Sequence, residues 1–310
     1  MYEVLMFDGG VHKLEEMLDL IEDIGGFVLQ RIQVQVMVTL TIAIPEEDRP
    51  LIERKAAELG GKIIEVPLAG TEIAVVGPTL GRHHMPHPIC DIAEHLRRYG
   101  AITIVMGLAR GRGRKTCQIS AAEKAIIEEY DAAIFMLGNF KECVTHEKIN
   151  LYKDIQVPVV VVIGPELDSL PDCEALVCGV GRKVERMRRS EEIAKLEEIA
   201  DRVKEVVDRR RKEIEEDPLF VHPSEVKDAL EDLDAVQECL RPSPVVLHVD
   251  GLRVKIPYKD HVKELEEVEV YGHKLKDIAT ISDCRLGDST IIRIRTKAEV
   301  EGKVLGCDRP

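Results

Sequence analysis

Between residues 71 and 181 the chain alternates short apolar runs with amphipathic ones, and that alternation restricts its fold more than any other feature. "EIAVVGP", "AITIVMGLA", "AAIFMLGNF", "VPVVVVIGPE" and "EALVCGVG" are strand-length and apolar at nearly every position. Between them lie "PICDIAEHLRRYG", "SAAEKAIIEEY" and "KECVTHEKINLYK", which read as helices. A strand that is apolar on both faces must be covered on both, and strands joined through helices run parallel. The pattern predicts a central doubly wound parallel sheet, placed at residues 69–189.

The flanking segments read differently. Residues 1–68 give strand, helix, two strands, helix and strand, the order of a split βαβ, ferredoxin-like α+β domain. Their first helix, "HKLEEMLDLIEDIGG", carries apolar residues at helical spacing and stops at Gly25 and Gly26. Residues 190–216 read as one long connecting helix, in which Ile193, Leu196, Ala200, Val203, Val207 and Ile214 follow 3-4 spacing. That stripe suits packing within the chain, and a partner-binding seam is the alternative. Residues 217–310 read as a small β-rich domain with one or two short helices.

Composition excludes several function classes. The chain of 310 residues is long enough for about two domains of roughly 100–200 residues each. Its formal charge of −14 and its lack of tryptophan argue against a nucleic-acid partner, which needs basic surface and stacking platforms. No apolar run approaches the length of a membrane span, and no leader segment is evident, so a cytoplasmic location is expected. Eight cysteines form no paired framework, and in a reducing compartment they are core residues, metal ligands or reactive thiols.

Ligands of an open parallel sheet bind beyond the carboxyl ends of its strands. Three segments should converge there. The first, "GPTLGRHHMPHPIC", holds His83, His84 and His87 on a proline-stiffened stretch and delivers Cys90 to the mouth of a helix. Helix amides and the positive end of the helix dipole favour thiolate over thiol. The second, "GLARGRGRKTC", carries Arg110, Arg112, Arg114 and Lys115 between glycines, a pattern that suits an anion or an acidic partner surface. It is neither a P-loop nor a dinucleotide fingerprint. The third, "LGNFKECVTHEK", places Cys143 in the opening turn of another helix, with His146 on the same face. Soft metal or cluster binding, a cysteine nucleophile with a histidine base, and a purely structural role all remain open from these residues.

The chain resembles methanogenesis marker protein 7 along its length, through "IEDIGGFVLQ", "PLAGTEIAVVGPTLGRHHMPHPICDIAEHLRRYGA", "GLARGRGRK" and "MLGNFKEC". Its middle domain is similar to methyl-coenzyme M reductase operon protein C. Gly81, Arg82, His84, Pro88, Cys90, Asp91 and Ile92 match that family's G-R-x-H-x-x-x-P-x-C-[DE]-I motif. Leu137, Gly138, Lys141 and Cys143 meet its L-G-G-x-K-x-H motif, with Asn139 for the second glycine and Cys143 for the histidine.

The resemblance implies a subunit of the ATP-dependent machinery that reductively activates methyl-coenzyme M reductase in methanogens, as a non-catalytic accessory or an electron relay. The implied cofactor is an iron–sulfur cluster, or a complex multi-iron cluster shared with a partner subunit. Cys90, Cys143 and His84 would be its ligands, and the Arg110, Arg112, Arg114 and Lys115 segment would balance its charge. The implied partners are methyl-coenzyme M reductase, its operon protein C, other methanogenesis marker proteins and an ATP-binding activation component. A metal-free adaptor of the same assembly, and a cysteine enzyme acting on an anionic ligand, are the alternatives.

Overall fold

A computed structural model describes residues 2–11, 14–78, 88–108, 118–180 and 189–304. The chain divides into two compact units, one of residues 1–70 with 98–102 and one of residues 71–97 with 103–310.

The first unit runs β1 (Tyr2–Gly10), α1 (Leu14–Asp23), β2 (Phe27–Val34), β3 (Met37–Pro45), α2 (Arg49–Glu58) and β4 (Lys62–Glu65). Its four strands lie in the order β2-β3-β1-β4 with every pairing antiparallel, as the split βαβ pattern expects. Alternate residues of β1 and β3, among them Leu5, Phe7, Leu40 and Ile42, face Met17 and Ile21 of α1 and Ile52 of α2 to form the core. The diglycine ends α1 as foreseen. Gly25 takes φ +71°, and the Gly26 N–H donates to the Ile21 carbonyl at 2.8 Å, which closes the helix end.

The second unit begins with β5 (Glu72–Gly77), α3 (Pro88–Arg98), β6 (Ile102–Gly107), α4 (Ala121–Ile127), β7 (Ala132–Gly138), α5 (Lys141–His146), β8 (Val159–Ile163) and β9 (Ala175–Val177). These strands form one sheet in the order β6-β5-β7-β8-β9, and β5, β7, β8 and β9 are parallel. The strand order therefore reverses between β5 and β7. Ala74, Val76, Phe135, Leu137, Val161 and Ile163 point to one face and pack against Ile127 of α4 and Val144 of α5. The alternate residues, such as Val75, Ile134 and Val160, are buried on the other face, together with Ile89, Ile92 and Leu96 of α3. Right-handed crossovers in opposite directions put α3 and α5 on opposite faces.

Helix α6 (Arg189–Glu216) packs along β8 and β9, and Ile199, Ala200, Val203, Val206 and Val207 are buried. The apolar stripe is thus used within the chain over its central turns. Ile193, nearer the start, is 42% exposed. Among the described residues no helix is long and apolar enough to cross a membrane.

The last segment continues with α7 (Pro223–Glu231), α8 (Asp234–Gln237), β10 (Val245–His248), β11 (Gly251–Val254), α9 (Tyr258–Glu267), β12 (Glu269–Val270), β13 (His273–Lys274), α10 (Leu275–Ile278), β14 (Ala279–Asp283), β15 (Thr290–Ile294) and α11 (Lys297–Val304). Four strands pair antiparallel in the order β10-β11-β15-β14, and β12 and β13 form a short ribbon. Where the sequence suggested one or two short helices, the described residues contain five, so the segment is mixed rather than β-rich. Single-turn helices such as α8 and α10 are too short to show a period, and α7 is announced only by its cap.

Candidate functional site

The two edges of the parallel sheet differ in kind. At the amino edge, the last segment seals the strand starts with a buried polar network. Glu72, the first residue of β5, accepts from His248 Nε2 at 2.9 Å and from Arg253 Nε at 2.8 Å through one oxygen, Oε2. Burial pushes the Glu72 carboxyl up, but His248 and Arg253 outweigh it and hold the group below its ordinary value. Asp131, just before β7, accepts from the Glu72 N–H at 2.7 Å and the Val249 N–H at 2.8 Å, and its complete burial raises its pKa. Glu129 accepts from the Arg285 N–H at 2.7 Å and from the Cys284 thiol at 3.0 Å. Burial, with the Glu129 hydrogen bond beside it, pushes the Cys284 thiol up to about 11, so it is a donor here and not a nucleophile. Arg253 lies over the Tyr130 ring at 5.0 Å. Cys284 shows no chemical neighbours in sequence, because its side-chain partners Arg253 and Glu129 lie 31 and 155 residues away.

The carboxyl edge is marked by glycine. Glycine stands at or within two residues of every strand end, as Gly77, Gly107, Gly138, Gly164 and Gly179. Among the described atoms, the place of a missing Cβ at Gly138 has only Lys148 Nζ within 4 Å, whereas at Gly164 it is filled by the Asn139 side chain and at Gly179 it meets Glu166 and Lys195. The strand order reverses between β5 and β7, and a crevice for ligands is expected at such a reversal.

The two sequence-predicted thiols belong to this edge. Cys90 is the third residue of α3, which follows β5, and its side chain is exposed. Cys143 is the third residue of α5, which follows β7, and is half-buried. Because β5 and β7 are bonded neighbours, both cysteines flank the reversal point, one from each face of the sheet. His146 is exposed, and its Nδ1 lies 2.9 Å from the Thr145 hydroxyl and 3.0 Å from the Glu142 carbonyl, so its ring is engaged on α5 itself. His83, His84, His87, Arg110, Arg112, Arg114 and Lys115 lie outside the described residues. Among the described residues, no group of three or more His, Cys, Asp or Glu side chains is arranged to hold a metal ion. Two soft donors at one rim suit a sulfur-ligated metal in kind and fall short of a complete set in number.

The other described cysteines read as structural. Cys173, half-buried, is pushed up to about 11 by burial, and its thiol reaches the Leu170 carbonyl at 3.5 Å. Cys178 reaches the Leu167 carbonyl at 3.4 Å and packs on the core, as expected, and Cys239 reaches the Lys255 carbonyl at 3.4 Å.

Sequence reasoning passed over Lys148. It lies one residue past the cap of α5, is only 7% exposed, and donates back to the Leu137 carbonyl at the end of β7. In sequence it looks like one more charge on a helix. Only the fold carries it back to the rim.

The comparisons fit this frame. The sequence family described as methyl-coenzyme M reductase operon protein C matches residues 2–268. The chain belongs to that family. The match is therefore not confined to the middle domain, where the motif resemblance lies. An uncharacterized protein of Methanocaldococcus jannaschii, MJ0094, is 43% identical over 302 residues, which cover 97% of this chain and 96% of that one. Among solved structures, the phospho-2-dehydro-3-deoxyheptonate aldolase of Thermotoga maritima covers 53% of this chain and 62% of its own at 12% identity, with a TM-score of 0.18. A likeness that weak carries no argument.

Proposed function

We propose that this protein serves the reductive activation of methyl-coenzyme M reductase, as a non-catalytic subunit that holds or shares an iron–sulfur-type cluster at the carboxyl edge of its parallel sheet. In this reading it is the methanogenesis marker protein 7 of that machinery. The family association ties it to the reductase operon in methanogens. The observation that carries the reading is the placement of Cys90 and Cys143, each third in a helix and each following one of the two strands that meet at the reversal point. Cys90, Cys143 and His84 are the ligands this chain would offer. Three ligands are fewer than most clusters take, so a partner subunit supplies the rest. Such a cluster supplies electrons at low potential. The chain's part is to present the thiols and to limit water around the half-buried one.

Anaerobic purification followed by iron and acid-labile sulfide analysis tests this. Iron and sulfide are expected in the native protein or its complex and are expected to fall at least severalfold in Cys90→Ser and in Cys143→Ser. Unchanged iron in both variants rules the ligand role out. Iron-free protein that still captures reductase subunits supports an adaptor instead.

A further inference from the structure

Beyond the cysteines, we infer that Lys148 forms the floor of a binding site for a compact, multiply charged anion over Gly138, at the point where the strand order reverses. Three observations lead there. Leu137 is the extra residue where the β7–β8 register shifts, so its carbonyl leaves the ladder. Bulges of this kind re-aim groups beside functional sites. Lys148 Nζ takes that carbonyl, which uses one of the three donors of an ammonium and leaves two.

The second observation is burial. Lys148 is 7% exposed, yet among the described residues no carboxylate lies within 4 Å of its ammonium. A buried cation without a counter-charge is costly, and the cost is relieved when an anion arrives. Residues 79–87 and 109–117, which follow β5 and β6, contain no aspartate or glutamate and contain Arg82, Arg110, Arg112, Arg114 and Lys115. Glu185 follows β9, two strands away from β7, and stands among four basic residues.

The third observation is space. Gly138 has φ +83°, a conformation that favours glycine. At the position a Cβ would occupy on Gly138, its chain neighbours apart, Lys148 Nζ is the one described atom within 4 Å, at 3.6 Å. The ammonium thus borders a position that no described side chain fills.

The ligand class is a small oxyanion or thioanion bearing two or more charges. Pyrophosphate and tetrathiomolybdate probe the two sources of such charge. Each is titrated calorimetrically and anaerobically into the full chain, its Lys148→Met variant and, as a control, its exposed neighbour variant Lys141→Met. The native chain is expected to bind at least one probe saturably. Lys148→Met should weaken that binding tenfold or more, and Lys141→Met should leave it within about twofold. The probe should raise the melting temperature of the native chain and not that of Lys148→Met. Without probe, Lys148→Met should melt no lower than the native chain, because it removes an uncompensated buried charge.

Equal affinity in Lys148→Met overturns the site, as does the absence of binding of both probes to the native chain. A lowered melting point in Lys148→Met, with no effect of either probe on the native chain, makes Lys148 a plug for the bulge carbonyl and nothing more. Iron content is read separately. Loss of iron on cysteine substitution with intact probe binding, or the reverse, tells failure of one reading from failure of the other.

Discussion

At the scale of single residues, chemistry here is set by burial and by the partners it leaves within reach. His222 is an example away from the rim. It caps α7, its Nδ1 accepting from the Ser224 N–H at 3.2 Å while Glu225 Oε2 accepts from the His222 N–H at 3.0 Å. Burial keeps the ring neutral and pushes its pKa down from 6.5 to about 4. The unfolded chain takes up that proton near 6.5, so the stabilisation is full above this pH and is lost as pH falls toward about 4. His222→Asn keeps a capping side chain that does not titrate. Denaturant unfolding should show the native chain losing more stability than this variant between pH 6.5 and 4, with the two within about 1 kcal/mol at pH 7. Parallel pH profiles would show that His222 does not govern this interval.

At the scale of elements, the apolar runs were legible and their partners were not. A strand such as "VVVVI" can only be covered on both faces, so β5 to β9 and their helices follow from pattern alone. The positions of Cys90 and Cys143 in their helices were legible for the same reason, because proline or a glycine turn marks each helix start. The strand order was not, since right-handed crossovers are satisfied by several orders. The use of α6 was favoured as internal but not fixed, because a 3-4 stripe fits an internal face and a foreign one alike. Here Val203 is fully buried and Ile193 is 42% exposed. Val203→Ala should cost about 2 kcal/mol in denaturant unfolding. Ile193→Ala should cost no more than about 0.5 kcal/mol. Equal small costs would mean that α6 is not held by the sheet.

At the scale of the whole molecule, the second unit is fastened at the amino edge of its parallel sheet by a buried polar network. Glu72, Glu129, Asp131, His248 and Arg253 fasten the last segment to the strand starts, and none of these pairings could be read from a sequence in which Glu72 and Arg253 stand 181 residues apart. Arg253→Met would leave Glu72 and Glu129 without their guanidinium and should cost about 3–5 kcal/mol, with the loss seen in unfolding of the whole unit. A cost under about 1 kcal/mol would mean that the network is not what holds this edge. In the proposed reading, ligand chemistry belongs to the carboxyl edge, where Cys90 and Cys143 follow the two strands that meet at the reversal and Lys148 donates to the Leu137 carbonyl. The most direct measurement is an anomalous difference map at the iron edge, from crystals of the anaerobically purified protein or its complex. The account predicts a peak at that rim, within about 2.3 Å of the Cys90 and Cys143 sulfur atoms. Iron bound elsewhere, with both sulfur atoms free, would contradict it.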